Sequence, residues 1–165
     1  MSPPLGDFMK IKGKKIEGPN VVIAVIPRQS GDIIFKAKAV LDYDKFDALC
    51  PTPEPPTVTK PGGVTFKDVE NAKYKEAVME WAQQKTAWMV LESLKATDDL
   101  EWETVDYGKP ETWDNYTKEL QSSGFSDPEI ARLIDAVTAA NGLSQEKIDE
   151  ATNRFLAGQV EAQSE

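Results

Sequence analysis

The chain has 165 residues, 40% of them hydrophobic and 28% charged, with 28 acidic against 19 basic side chains, no histidine and one cysteine, Cys50. Without histidine and with one thiol, the usual zinc sites and the Ser-His-Asp or Cys-His nucleophiles cannot be assembled, so catalysis would rest on carboxylates, lysine and tyrosine. The net charge of −9 repels a nucleic-acid backbone overall, which points away from a nucleic-acid partner.

The length suits one domain, or one domain with a small appendage. A single cysteine excludes an internal disulfide and suits a reducing cytoplasm. No apolar run approaches the roughly 20 residues that span a bilayer, and Met1 to Asp7 lacks the apolar core of a signal peptide, so no membrane partner is expected. Charge is uneven. Residues 1–60 carry 9 basic and 7 acidic side chains, residues 61–97 carry 5 of each, and residues 98–165 carry 5 basic and 16 acidic, a net −11. The acidic third is either a solvated face or a docking face for a basic partner.

Residues 1–15, with Lys10, Lys12, Lys14 and Lys15, read as a mobile arm or a weak first strand. Val21 to Ile26 is a β-rich run ended by Pro27, and Gln29 to Asp32 is a turn at Gly31. Ile33 to Val40 alternates with a period of two, the mark of a half-buried strand. The two runs make a β-hairpin over residues 20–40. A lone hairpin is marginal in water, so it must pack on the helices or pair with another chain. Val21 to Ile26 is apolar on both sides, which predicts cover on both faces or pairing through an edge, and hence self-association.

Leu41 to Leu49 predicts a short helix capped by Asp42 or Asp44, with Phe46 and Leu49 on one side, stopped at Cys50-Pro51. Five prolines between Pro51 and Pro61, then Gly62-Gly63, stiffen the next segment. It reads as a rigid connector, with a recognition segment as the alternative. Asp68 to about Leu94 predicts the longest helix, with Tyr74, Ala77, Val78, Trp81, Trp88 and Leu91 at near-helical spacing. Trp81 and Trp88 share a face and read as core.

Thr97 to Lys109 is an acidic connection in which Trp102 stands between Glu101 and Glu103. Its ring is either at the surface, where tryptophan anchors interfaces, or folded back over the helices. Glu101, Glu103 and Asp106 lack the spacing of an oxygen-ligand loop. Pro110 opens a helix bearing Trp113, Tyr116, Thr117 and Leu120, closed by Gly124. Ser126 and Glu129 form a capping box, Phe125 and Ile130 fit a hydrophobic staple, and Asn141-Gly142 ends the helix. Ser144 caps the last helix, with Ile148, Ala151, Phe155 and Leu156 inward, and the tail from Gly158 is polar. The chain has no Gly-rich phosphate loop, GxSxG, CxxC or HExxH.

These observations predict an α+β fold. It comprises an arm (1–15), a β-hairpin plus short helix (16–50), a Pro/Gly-rich loop (51–67), a mainly helical domain (68–157) and a polar tail (158–165). No cofactor, no metal and no catalytic residue are assigned. The candidate partner-binding residues are Trp102, Trp113, Tyr116 and Phe46, with apolar grooves between the short helices as the expected client site.

Four stretches carry a resemblance: Glu17-Gly18-Pro19-Asn20 through Ile26 to Asp32, Leu41-Asp42-Tyr43 to Pro56, Leu100 to Val105 onward to Trp113, and Ala140-Asn141-Gly142-Leu143 to Phe155-Leu156. Over most of residues 14–157 the chain resembles small tail-gene-cluster proteins of tailed phages, of the tail-assembly chaperone type. The resemblance implies a non-enzymatic protein of the host cytoplasm. Such a protein binds the tape-measure protein, keeps it soluble and helps tail-tube protein polymerise around it. In many such phages a longer form arises by ribosomal frameshift. The alternative is a structural tail component kept in the virion and self-associating through its β-hairpin.

Overall fold

The computed structural model describes residues 9–19 and 21–163, with side chains described to residue 161; the first eight residues of the expected arm, Asn20 and the last two residues of the expected tail lie outside it. Its elements are β1 (Lys10–Ile11), β2 (Lys14–Lys15), β3 (Val22–Ile26), β4 (Ile33–Ala37), α1 (Asp44–Leu49), β5 (Thr57–Thr59), β6 (Thr65–Lys67), α2 (Ala72–Leu94), a 3-10 turn (Pro110–Thr112), α3 (Asn115–Ser122), α4 (Asp127–Ala140) and α5 (Gln145–Gln163). The fold is α+β. Its strands form antiparallel pairs β1–β2, β3–β4 and β5–β6.

The expected hairpin over residues 20–40 is β3–β4, with register from Val22↔Ala37 to Ile26↔Ile33. Its inner face is Ala24, Ile26, Phe35 and Ala37, all buried. They join Val90 and Leu94 of α2, Leu120 of α3, and Leu133, Ala136, Val137 and Ala140 of α4 in one core. Alanines on both sides keep sheet and helix close. A second core holds Phe46, Cys50, Ala87, Trp88, Leu91 and Trp113. The C-terminal half of α2 is the wall between the two. Val90 and Leu94 face one core; Ala87, Trp88 and Leu91 face the other.

The capping box of α4 is formed, with Ser126 Oγ accepting from Glu129 N and Glu129 Oε1 accepting from Ser126 N. Phe125 and Ile130, the staple pair, both pack against the first core. Phe125 also meets Phe35 edge-on at 5.7 Å. Trp88 is core as expected, while Trp81 is half-buried and donates its indole N–H to Cys50 O at 3.1 Å.

Several expectations are corrected. The Pro/Gly-rich loop is not a plain connector. Thr57-Val58-Thr59 pairs with Thr65-Phe66-Lys67. The β-branched residues favour strand, and Gly62 and Gly63 take the positive φ of 106° and 84° that the turn needs. The described part of the arm folds into β1–β2 around Lys12-Gly13, both at positive φ as a tight hairpin turn requires. α2 starts at Ala72 rather than Asp68, because the Asp68 carboxylate accepts from Glu70 N and Asn71 caps the helix by accepting from Tyr74 N. Neither Asp42 nor Asp44 caps α1. Tyr43 holds the cap position without a side-chain bond, Asp42 accepts from Asp44 N, and Asp44 is the first helical residue. Within α1 Phe46 is buried and Leu49 is exposed.

The largest correction is α5. The helix runs through Gly158 to Gln163, where a polar tail was expected. Ile148, Ala151, Phe155 and Leu156 do not face inward; every residue from 145 to 161 is exposed, Phe155 by 63%. The first core is built by α2, α3, α4 and the hairpin, and no residue of α5 belongs to it or to the second core.

Burial sets the expected cost of mutation. Leu133→Ala, on the face of α4 packed against the hairpin, should destabilise by about 2–5 kcal/mol in chemical denaturation, as large-to-small core changes do. Leu156→Ala on exposed α5 should stay within about 0.5 kcal/mol in the monomer.

Candidate functional site

The four residues singled out as partner-binding come together, Phe46 and Trp113 inside a core and Trp102 and Tyr116 packed against it. Phe46 and Trp113 are both 0% exposed and their rings stand 6.1 Å apart. Phe46 also meets Trp81 and Trp88, each at 5.9 Å. Trp102 and Tyr116 are half-buried, edge to face at 6.4 Å, and both pack against both cores. Phe46 and Trp113 therefore cannot anchor a partner in this state. The reason is geometric: the loop 97–109 folds back, and the Trp113 indole N–H donates to Asp106 O at 3.1 Å. Trp102 Nε1 is buried, and the Tyr107 phenol is the polar group its indole approaches. Burial pushes the Tyr107 phenol up, against the opposing pull of Lys95, whose ammonium sits 4.1 Å from the ring centroid.

The acidic connection is organised by Glu119 of α3. Its carboxylate accepts from Glu103 N at 2.6 Å, from Thr104 N at 3.2 Å and from Thr104 Oγ1 at 2.8 Å. Burial pushes this carboxyl up, but the backbone donors of 103–105 and the Thr104 hydroxyl outweigh it, and the net shift is downward. Asp106 turns its own loop, accepting from Gly108 N and offering its backbone to Thr112 and Trp113. Among the described residues no group of three or more acidic or cysteine side chains is placed to hold a metal ion, and no helix is long and apolar enough to cross a membrane. Burial, aided by Glu80, pushes the Cys50 thiol up. The groove beside α3 is lined by Glu103, Thr104, Asn115, Lys118, Glu119 and Ser122.

The apolar surface lies elsewhere. The outer face of β3–β4 presents Ile23, Val25 and Ile34, with Val21 just before the strand, all exposed and Ile23 by 58%. Lys36 stands opposite Ile23 on that face. The outer edge of β4, by contrast, is occupied. Thr97 Oγ1 accepts from Lys36 N at 2.9 Å and donates to Lys36 O at 3.1 Å. Lys38 N donates to Ser93 O at 3.1 Å, and Val40 N donates to Asn141 Oδ1 at 2.9 Å. Asn141 Nδ2 is held in turn by Ser93 Oγ and Val137 O. Sequence reasoning took Asn141 only as a helix end. The clasp it forms had no local signal, since its partners lie 48 and 101 positions away.

Arg28 fixes the other end of the hairpin. Its guanidinium forks onto the Glu129 carboxylate, with Nη2 to Oε1 at 3.0 Å, donates to Gly124 O and lies over the Phe125 ring. The Arg28 hydrogen bond, with help from Ser126, lowers the Glu129 carboxyl from 4.5 to about 2. A carboxyl depressed on folding stabilises the native state above its unfolded pKa and loses that contribution as pH falls through its folded pKa.

Compared with family models, curated proteins and solved structures, the chain has no match.

The Arg28–Glu129 pair makes a pH prediction. Between pH 4.5 and about 2 the melting temperature should fall more steeply in the wild type than in Glu129→Gln, with the difference between the two shrinking toward pH 2. Parallel curves over that range would contradict the assignment.

Proposed function

We propose that this chain is a non-enzymatic tail-assembly chaperone of a long-tailed phage. It holds the tape-measure protein in soluble form in the host cytoplasm while tail-tube protein assembles around it. The observation that carries the reading is the bare outer face of the hairpin. Ile23, Val25 and Ile34 form a flat apolar strip backed by a packed core. A strip of this kind fits the apolar stripe of a long helical client. The resemblance over residues 14–157 points to the same class. The net −11 of residues 98–165 adds a field that speeds encounter with a basic client. The retained-virion alternative relied on strand addition through the hairpin. The clasp of Thr97, Ser93 and Asn141 closes the β4 edge, so that route would have to use the edge of β3.

The binding surface in this reading is a face of the sheet, in place of the aromatic residues now seen in the core. Co-expression with the tape-measure protein of the same tail cluster tests it. The wild type should keep that protein in the soluble fraction and bind it. Ile23→Glu should weaken the complex by tenfold or more while leaving the chaperone folded. A tape-measure protein equally soluble with and without the chain would overturn the reading, and finding the chain in purified virions would favour the alternative.

A further inference from the structure

Two of the exposed apolar surfaces among the described residues bear on each other. The first is the outer hairpin face of Val21, Ile23, Val25 and Ile34. The second is α5, whose Ile148, Ala151 and Phe155 form a stripe continued on one side by Leu156 and Val160. α5 is 19 residues long, fully exposed along residues 145–161 and interrupted by Gly158. A free helix of that length with an internal glycine is marginal in water and depends on packing of its apolar side. Its own hairpin face does not provide that packing, since both surfaces remain exposed within one chain.

We propose that α5 of one copy lies on the outer β3–β4 face of a second copy, the two copies exchanging helices reciprocally. The inference needs no client and holds whichever protein the chain serves. Size favours it: α5 extends about 28 Å and crosses a strand pair of about 17 Å, so one helix covers the strip. Charge favours it too. Lys38 and Arg132 flank the sheet face, Arg132 reaching Val25 O, while Lys36 on that face is already paired with Asp98 at 2.8 Å. On α5, Glu146 and Asp149 lie beside the Leu156–Val160 flank of the stripe at helical spacing. Helix-to-helix pairing of two α5 copies is less suited. Ala151 leaves a gap between Ile148 and Phe155 and Gly158 another beyond Phe155, and the Glu146, Asp149 and Glu150 cluster would repel itself in a parallel pair. Strand pairing through β4 is blocked by the Thr97 and Asn141 clasp. Two reciprocal contacts share the area that a stable interface needs, roughly 1,200–2,000 Å² in total. In the presence of a client, its helix and α5 would compete for one face.

The test uses the full chain alone, with mass measured by light scattering and sedimentation at micromolar concentrations. The wild type should be a dimer. Ile23→Glu and Phe155→Glu, both at exposed positions, should each raise the dissociation constant at least tenfold with unchanged circular dichroism. Mixing the two variants should restore dimers, because one wild-type helix then meets one wild-type face. Leu156→Glu serves as a second helix variant, and Val25→Glu as a second face variant, should either first choice misfold. A monomeric wild type overturns the proposal. So does a dimer that survives the face variant, one that survives the helix variant, or a mixture that stays monomeric.

Discussion

A two-stranded sheet has two faces and two edges, and the core of this chain closes one of each. The inner face of β3–β4 is sealed by α4, α3 and the end of α2. The β4 edge is sealed by Thr97, Ser93 and Asn141. Much else follows from that seal. Asn141 can reach Val40 only because α4 ends there, and α4 starts where it does because the Ser126–Glu129 box and Arg28 hold its first turn. The outer face, apolar apart from Lys36, is left bare. Single exposed apolar residues are ordinary, but a contiguous strip on a rigid sheet is a surface with a use.

Local order in the chain was largely readable. The period of two in Ile33 to Val40, the capping box at Ser126 and the helical spacing around Trp88 each name an element whose physics is contained in a few neighbouring residues. The structure has them. Pairing across distance was not readable. Val21 to Ile26, apolar on both sides, announced that both faces want cover, yet nothing local says which helix covers which face. α5 shows the limit most clearly. Ile148, Ala151, Phe155 and Leu156 have the spacing of a core-facing helix, and the helix forms, but it contributes no residue to either core. The short strands of residues 57–67 were hidden for a different reason: the prolines before them dominated the reading of a segment whose Thr-Val-Thr run favours strand.

The candidate site moved for a related reason. Trp102, Trp113, Tyr116 and Phe46 were chosen because large aromatics among charges often anchor partners. The charges around Trp102 and Trp113 instead serve the backbone: Glu119 gathers the amides of the loop and Asp106 shapes its turn, and the rings are drawn over α2. Chemistry that looks like an interface in one dimension is loop-folding in three. The surfaces that remain for partners are mostly aliphatic, with Phe155 in the α5 stripe, and less conspicuous in sequence than a tryptophan between glutamates.

The account therefore rests on one claim, that the outer hairpin face and α5 are partner surfaces which complete each other between copies. Hydrogen–deuterium exchange of the full chain at low and high concentration addresses it most directly. Amides of residues 145–163 should exchange rapidly when the protein is dilute and become protected as concentration rises, in step with β3, while α4 stays protected throughout. Exchange in α5 that is fast at every concentration, or protected at every concentration, would contradict the claim.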